Sequence, residues 1–283
     1  MQDCHVHTNM SHDGKSSFKD YIYIARCKGV DGITFTDHWD TYKNVKTNLE
    51  TINLNKYYDE YISSVEPDQL TTRFGIEVGL RPDIECISDT LNAIQSKEYD
   101  YVIGSTHITK GIDISGKTDF FVKRDEVDAM MCYFEDVYES IKTYKDVINA
   151  YGHLDYAIRY AIRDYGLSKD HKVEYYLYLE ILDAILEALI RSNIALELNT
   201  SGLRYGLSEM HPNKEILRRY KEKGGELITI GSDAHRAEDL GYGFNNAEEV
   251  LLGIGFKEYA IYEYNKKEKK RIPTFHSVKT KKY

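Results

Sequence analysis

The chain has 283 residues, 42% hydrophobic and 29% charged, the composition of an ordinary globular protein with material for one large core. A formal charge of −9 argues against a nucleic-acid partner, because such a protein needs a basic surface to displace phosphate counterions. No run approaches the roughly 18–20 apolar residues of a bilayer span, and the opening residues carry no basic-then-apolar export signal, so a cytoplasmic protein with no membrane partner is expected.

Short β-branched runs alternate with longer amphipathic stretches, the pattern of βα units around a parallel sheet. QDCHV (2–6) reads as the first strand. SSFKDYIYIARCKG follows as a helix with serine caps that stops at Gly29. Strands are then expected at GITFTDH (32–38), TRFGIEVGL (72–80) and DYVIGSTH (100–107). DAMMCYFEDVYESIKTYK reads as a helix, VINAYGH (147–153) as a strand, and VEYYLYLEILDAILEALIRSN as the longest helix. IALELNT (194–200) is the sixth strand. HPNKEILRRYKEKGG has a proline in its first turn and glycines at its end, and LITIGSDAH (227–235) is the seventh strand. EYAIYEY (258–264) ends the fold, which spans 1–265, and the lysine-rich 266–283 reads as a basic extension, packed on the barrel or trailing from it as a solvated tail. No repeat or linker divides the chain, so one α/β domain built as a TIM-like barrel is favoured over an open doubly wound sheet.

Cys4, Cys27, Cys86 and Cys132 are scattered without a CxxC pair and are expected as reduced thiols. The 25 tyrosines read mostly as half-buried packing positions.

The ten histidines are informative by position. His5 and His7 end the first strand, His38 the second, His107 the fourth, His153 the fifth and His235 the seventh. Glu77 lies in the third, and Asp233 stands two residues before His235. Period-two spacing points both members of HxH, and of DxH, to one side of a sheet. In a parallel barrel the strand C-termini share one face, so these groups converge there. A lone histidine at a strand end is usually a hydrogen-bonding or surface residue, but six in succession are not explained that way. Unpaired and dry, the cluster would be costly, and cations would relieve it. Imidazoles and carboxylates without thiolates suit zinc, manganese or iron, and so many donors imply two or three divalent ions. His171, His211 and His276 fall in helical or tail contexts and read as structural.

HxHT at 5–8, SxDG at 11–14, TDH at 36–38, Glu77, STH at 105–107, GH at 152–153 and SDAH at 232–235 together resemble the polymerase and histidinol phosphatase (PHP) superfamily. The resemblance covers essentially the whole chain. It implies a distorted seven-stranded βα barrel, a (β/α)7 variant of the TIM type, with a trinuclear metal centre. By position, one ion would be held by His5, His7, Glu77 and Asp233, a second by Glu77, His107 and His153, and a third by Asp13, His38 and His235. The family's spacing selects Asp13, with His12 the adjacent alternative.

GHLDYAIRY (152–160) and ELNTSGLRYGLSEMHPN (197–213) are similar to the histidinol-phosphate phosphatases of histidine biosynthesis. This implies Arg159 and Arg204, and after them Arg163, beside a substrate phosphate, which a guanidinium forks onto well. The competing reading of Arg159 and Arg163 is a solvated helix face shared with Asp155 and Asp164. Asn199 and Ser201 are candidates for substrate binding or for hydrogen bonding within their own loop. The implied reaction is hydrolysis of L-histidinol phosphate, a small-molecule ester, by a hydroxide between the Glu77-bridged ions. Glu77, Asp233 and His235 would be catalytic, with Asp233 or a solvent-facing histidine protonating the leaving oxygen. The rival is a PHP-type phosphoesterase acting on nucleotides or other small phosphate esters. A metal-dependent amidohydrolase also opens with HxH, but no lysine is placed to form a carbamylated bridge. The oligomeric state stays open.

Overall fold

The structure, a computed structural model, describes residues 2–66, 70–116, 119–171 and 174–279. In chain order come β1 (Gln2–Val6), α1 (Phe18–Lys28), β2 (Gly32–Phe35), β3 (His38–Asp40), α2 (Leu54–Ser64), β4 (Thr71–Gly79), α3 (Ile84–Gln95) and β5 (Tyr101–Ser105). Next are β6 (Ile108–Thr109), β7 (Ile112–Asp113), α4 (Asp119–Val122), α5 (Glu126–Tyr144), β8 (Ala150–Tyr151), α6 (Ala157–Asp164) and α7 (Leu179–Arg191). The chain continues through β9 (Ala195–Asn199), α8 (Ser201–Arg204), α9 (Lys214–Glu222), β10 (Ile228–Gly231), α10 (Phe244–Ile254), β11 (Glu258–Asn265) and β12 (Lys270–Ser277).

Strands β1, β2, β4, β5, β8, β9 and β10 lie side by side in that order, every pair parallel. One parallel bridge, Val6 to Ala234, joins the two edges; Asp233 N donates to His5 O and His7 N to Ala234 O, each at 2.8 Å. The result is the nearly closed seven-stranded α/β barrel, with helices outside and an apolar core between the layers.

Local chemistry sets the boundaries. The Ser17–Asp20 capping box starts α1 and Gly29, left-handed at φ 66°, ends it. The strand expected over 32–38 breaks after Phe35 and resumes as β3, because the Thr36 and Asp37 side chains turn onto the backbone of β1 and the loop after it. The strand expected over 147–153 pairs only at Ala150–Tyr151, and the one expected over 227–235 stops at Gly231. Beyond them His153 (φ 25°) and Asp233 (φ 53°) are left-handed and cannot extend a ladder. The longest helix is α5 with 19 residues, not α7 with 13, since residues 175–178 wind as a 3-10 turn drawn inward by Tyr175 donating to Asp155 Oδ2 at 2.9 Å. Val173, the expected start of that helix, lies outside the described residues. Pro212 precedes the Asn213 cap of α9 instead of occupying its first turn.

Of the two readings of the basic stretch, the packed one describes residues 270–277. Residues 270–277 form β12 and pair antiparallel with β11, from Glu258–Ser277 to Asn265–Lys270. Residues 280–283 lie outside the described residues. The hairpin covers the N-terminal ends of the barrel strands: Tyr262 stacks on Tyr101 at 5.6 Å, Arg73 donates to Glu263 and Gln2, and Arg271 donates to Val147 O at 2.6 Å. Among the described residues no helix is long and apolar enough to cross a membrane.

Candidate metal centre

The opposite end of the barrel gathers the strand-end donors. His5 and His7 leave β1, His38 opens β3, Glu77 projects from β4, His107 follows β5, His153 follows β8, and Asp233 and His235 follow β10. Their ligand atoms form four overlapping groups: His5, His7 and Asp233; His5, Glu77 and His153; His38, Glu77 and His107; and His7, His38 and His235. Glu77 stands at the middle. Its Oε1 is 2.9 Å from His153 Nε2 and 3.3 Å from His107 Nε2. Its Oε2 is 2.7 Å from His38 Nδ1 and 3.4 Å from both His5 Nε2 and His7 Nε2. Asp13 Oδ2 reaches His235 Nε2 at 3.0 Å and His38 Nε2 at 3.7 Å, while the His12 ring lies further out, 5.7 Å from that of His38.

Electrostatics bind this cluster together. Burial disfavours the charged form of Glu77 and Asp233, yet the surrounding imidazoles outweigh it and hold both carboxyls well below their ordinary range. Burial likewise opposes a charge on His5, but Glu197, Glu77 and Asp233 raise it well above the usual imidazole value. His107 is pushed up to about 10, against its burial, by Asp40 and Glu77. His7 moves the other way, lowered by burial and by His38 and His235.

The donor set fits divalent cations. Glu77 Oε2 is buried without a well-formed hydrogen bond although three imidazole nitrogens surround it, and Asp13 Oδ1 is likewise unpartnered. His5 Nε2 and His7 Nε2 face each other at 2.9 Å, both presented to one point. A cation at such points would engage the lone pairs that no hydrogen bond satisfies.

A second layer holds the imidazoles, and the sequence reading missed it. Glu197 accepts from His5 Nδ1 at 2.6 Å, His153 N at 2.8 Å and Asn199 Nδ2 at 3.1 Å. Asp40 accepts from His107 Nδ1 at 2.9 Å, and Ser105 Oγ donates to Glu77 Oε1 at 2.6 Å. Asp37 ties the loop after β1 by accepting from Thr8 N, Ser11 N and Ser11 Oγ. The available signal was period two: Asp40 lies two residues from His38, Glu197 two from Asn199, and Ser105 two from His107.

The arginines separate. Arg159 lies partly buried over the Tyr205 ring at 3.9 Å and donates from Nη2 to Ser201 Oγ at 2.7 Å. Ser201 donates on to Asn199 Oδ1 at 2.6 Å, and Asn199 Nδ2 lies 3.4 Å from Asp233 Oδ2. Arg204 donates to Asp233 O at 2.6 Å and pairs with Asp239. Arg163 pairs with Asp164 and with the Ser115 and Gly116 carbonyls, away from the cluster. The solvated-face reading therefore describes Arg163 and Asp164 but not Arg159 or Asp155. Asp155 is buried and accepts from His211 Nδ1 at 2.7 Å. His211, expected in a helix or tail, is only 1% exposed and bridges to Asn199, because the 207–213 loop folds back along β9.

The sequence model of the PHP domain matches residues 3–201. The "Probable histidinol-phosphatase" of Clostridium acetobutylicum is 30% identical over 90% of this chain and 94% of its own. The "Histidinol-phosphatase" of Lactococcus lactis subsp. lactis is 28% identical over 95% of this chain and 97% of its own. Among solved structures, the histidinol phosphate phosphatase of that bacterium, complexed with zinc, L-histidinol and phosphate, superposes with a TM-score of 0.78 at 26% identity, covering 93% of this chain and 96% of that one. A protein from Listeria monocytogenes, at 20% identity and a TM-score of 0.71, shares the fold.

Proposed function

The chain belongs to the PHP domain family, and from that premise we propose that it is a metal-dependent phosphomonoesterase that hydrolyses L-histidinol phosphate to L-histidinol and phosphate, a step of histidine biosynthesis. The observation that carries the reading is Glu77, one buried carboxylate whose two oxygens face different sets of imidazoles. That arrangement suits a shared ligand between neighbouring cations.

In this reading His5, His7, Glu77 and Asp233 would hold one ion, Glu77, His107 and His153 a second, and Asp13, His38 and His235 a third. Zinc suits the donor set and is the metal of the Lactococcus structure; manganese and iron also take imidazole and carboxylate donors. Such ions supply an activated water and neutralise phosphoryl charge. The chain's own part is to orient the ester and manage the proton. Arg159, fixed by Ser201 and stacked on Tyr205, and Arg204, fixed on the Asp233 carbonyl, offer guanidinium donors to phosphate oxygens. Asn199 and Ser201 bind the substrate through that arginine. Of the two candidates for protonating the leaving alkoxide, Asp233 or a histidine in contact with solvent, His235 is favoured: its side chain is 20% exposed against 7% for Asp233, whose carboxyl is held well below its ordinary range and would stay ionised.

The test is elemental analysis of purified protein combined with phosphatase assays. Two or three divalent ions per chain and a strong preference for L-histidinol phosphate over p-nitrophenyl phosphate are expected. Equal turnover of both esters overturns the substrate assignment, and a metal-free active enzyme overturns the mechanism.

A further inference from the structure

Three glycines, two on barrel strands and one just past a strand end, stand where a side chain would collide with the second layer. A Cβ on Gly79 of β4 would fall on the Asp40 carboxylate, its partner in register on β3. A Cβ on Gly231 of β10 would fall on Glu197 Oε1 and His5 Cβ at once. One on Gly152, just past β8, would fall on Ser105 Oγ. Each displaced atom makes a short bond to a different member of the cage: Asp40 to His107 Nδ1 at 2.9 Å, Glu197 to His5 Nδ1 at 2.6 Å, and Ser105 to Glu77 Oε1 at 2.6 Å. All three groups and all three partners are buried. None of the three glycines has a left-handed φ, so backbone conformation does not call for glycine there. Space does.

We propose that Asp40, Ser105 and Glu197 are positioning residues of the metal cage, each seated in a gap that a glycine leaves open on, or just past, an adjoining strand. A carboxylate on Nδ1–H fixes the imidazole tautomer that leaves Nε2 free to ligate, and it also fixes the ring plane. Ser105 does the corresponding service for Glu77, occupying one lone pair of Oε1 and leaving the rest for cations. Glu197 has the widest reach, since it also takes His153 N and Asn199 Nδ2, and Asn199 continues through Ser201 to Arg159. Cage and phosphate-binding arginine thus hang from one buried carboxylate.

This inference rests on the metal-dependent reading, and its test separates the two. Zinc affinity is measured by competition with a chromogenic chelator for the wild type and for Asp40→Ala, Asp40→Asn, Gly79→Ala and Glu197→Ala, with folding of the chelated proteins followed by circular dichroism. Asp40→Ala and Glu197→Ala are expected to lose roughly 10- to 100-fold in affinity, the usual effect of removing an outer-layer partner of a ligand. Asp40→Asn, which keeps an acceptor for His107 Nδ1–H, is expected to recover most of the loss. Gly79→Ala is expected to match Asp40→Ala although no polar group has been removed. Wild-type affinity in folded Asp40→Ala and Glu197→Ala overturns the proposal, as does wild-type affinity in folded Gly79→Ala. If Gly79→Ala fails to fold, the Asp40→Ala and Asp40→Asn pair decides alone: equal affinities overturn the proposal. A wild-type protein that binds no zinc, manganese or iron overturns the functional reading instead.

Discussion

The two ends of the barrel are built from the same strands and obey different rules. At the N-terminal end, β11 and β12 cap the strands with paired groups: Arg73 meets Glu263 and Gln2, and Asp100 accepts from Phe74 N and Tyr264 N. At the C-terminal end, Asp13 Oδ1, Glu77 Oε2 and His153 Nδ1 are buried without hydrogen-bond partners, and two of the converging residues, His153 and Asp233, hold left-handed backbone. The capped end is held mainly by pairs of its own groups, with Tyr262 OH and Arg271 Nε left unpartnered. The other end is completed from outside, which is where function is expected to reside and where strain is tolerated.

The sharpest way to break this contrast is Glu77→Ala. It should lower kcat/KM by roughly 1,000-fold or more, since several kcal/mol of transition-state stabilisation depend on the shared ligand. Metal analysis must show lost ions, and a comparable loss in Arg204→Ala with metal content intact would refute the ranking. Arg159→Ala should act on the ester alone, raising KM about 10- to 100-fold, as expected for one charge-assisted contact. Collapse of metal content with KM unchanged would make Arg159 structural.

At the other end, Arg73→Ala should cost about 1–2 kcal/mol of stability through the lost contacts to Glu263 and Gln2. A thermal melt should fall by a few degrees while kcat and KM stay at wild-type values; altered kinetics would show that the two ends are coupled. The smallest effect concerns thiols. Burial pushes Cys4, in β1, up to about 12, so at pH 8 a thiol reagent should modify exposed Cys27 and spare Cys4. Chelation should leave Cys4 protected. Its labelling after metal removal would show that the ions, not the hairpin, keep the barrel shut.

The sequence disclosed the ligand-rich end more readily than the capped one, for a physical reason. A ligand must sit where a parallel strand ends, so His5, His7, His107 and Asp233 are marked by residue type and position together. The second layer is marked only by its period-two spacing from His38, His107 and Asn199: by residue type Asp40, Ser105 and Glu197 are ordinary polar residues until the chain closes around them. Arg159 and Arg163 lie one helical turn apart and look alike, yet one stacks among tyrosines and the other pairs with Asp164. The lysines of 266–270 masked a strand, because high charge suits a free tail as well as the exposed turn and outer face of a hairpin. The 32–38 strand looked continuous because Thr36 has good strand propensity, while its side-chain bond to Val6 is a tertiary event.

The Val6–Ala234 bridge has a consequence for biosynthesis. His5 and His7 are made first, Asp233 and His235 more than two hundred residues later, and they stand on opposite lips of that seam. A nascent polypeptide cannot grip an ion from both sides until translation has passed the last of them, so hydrolytic capacity arrives late and all at once, when the barrel shuts.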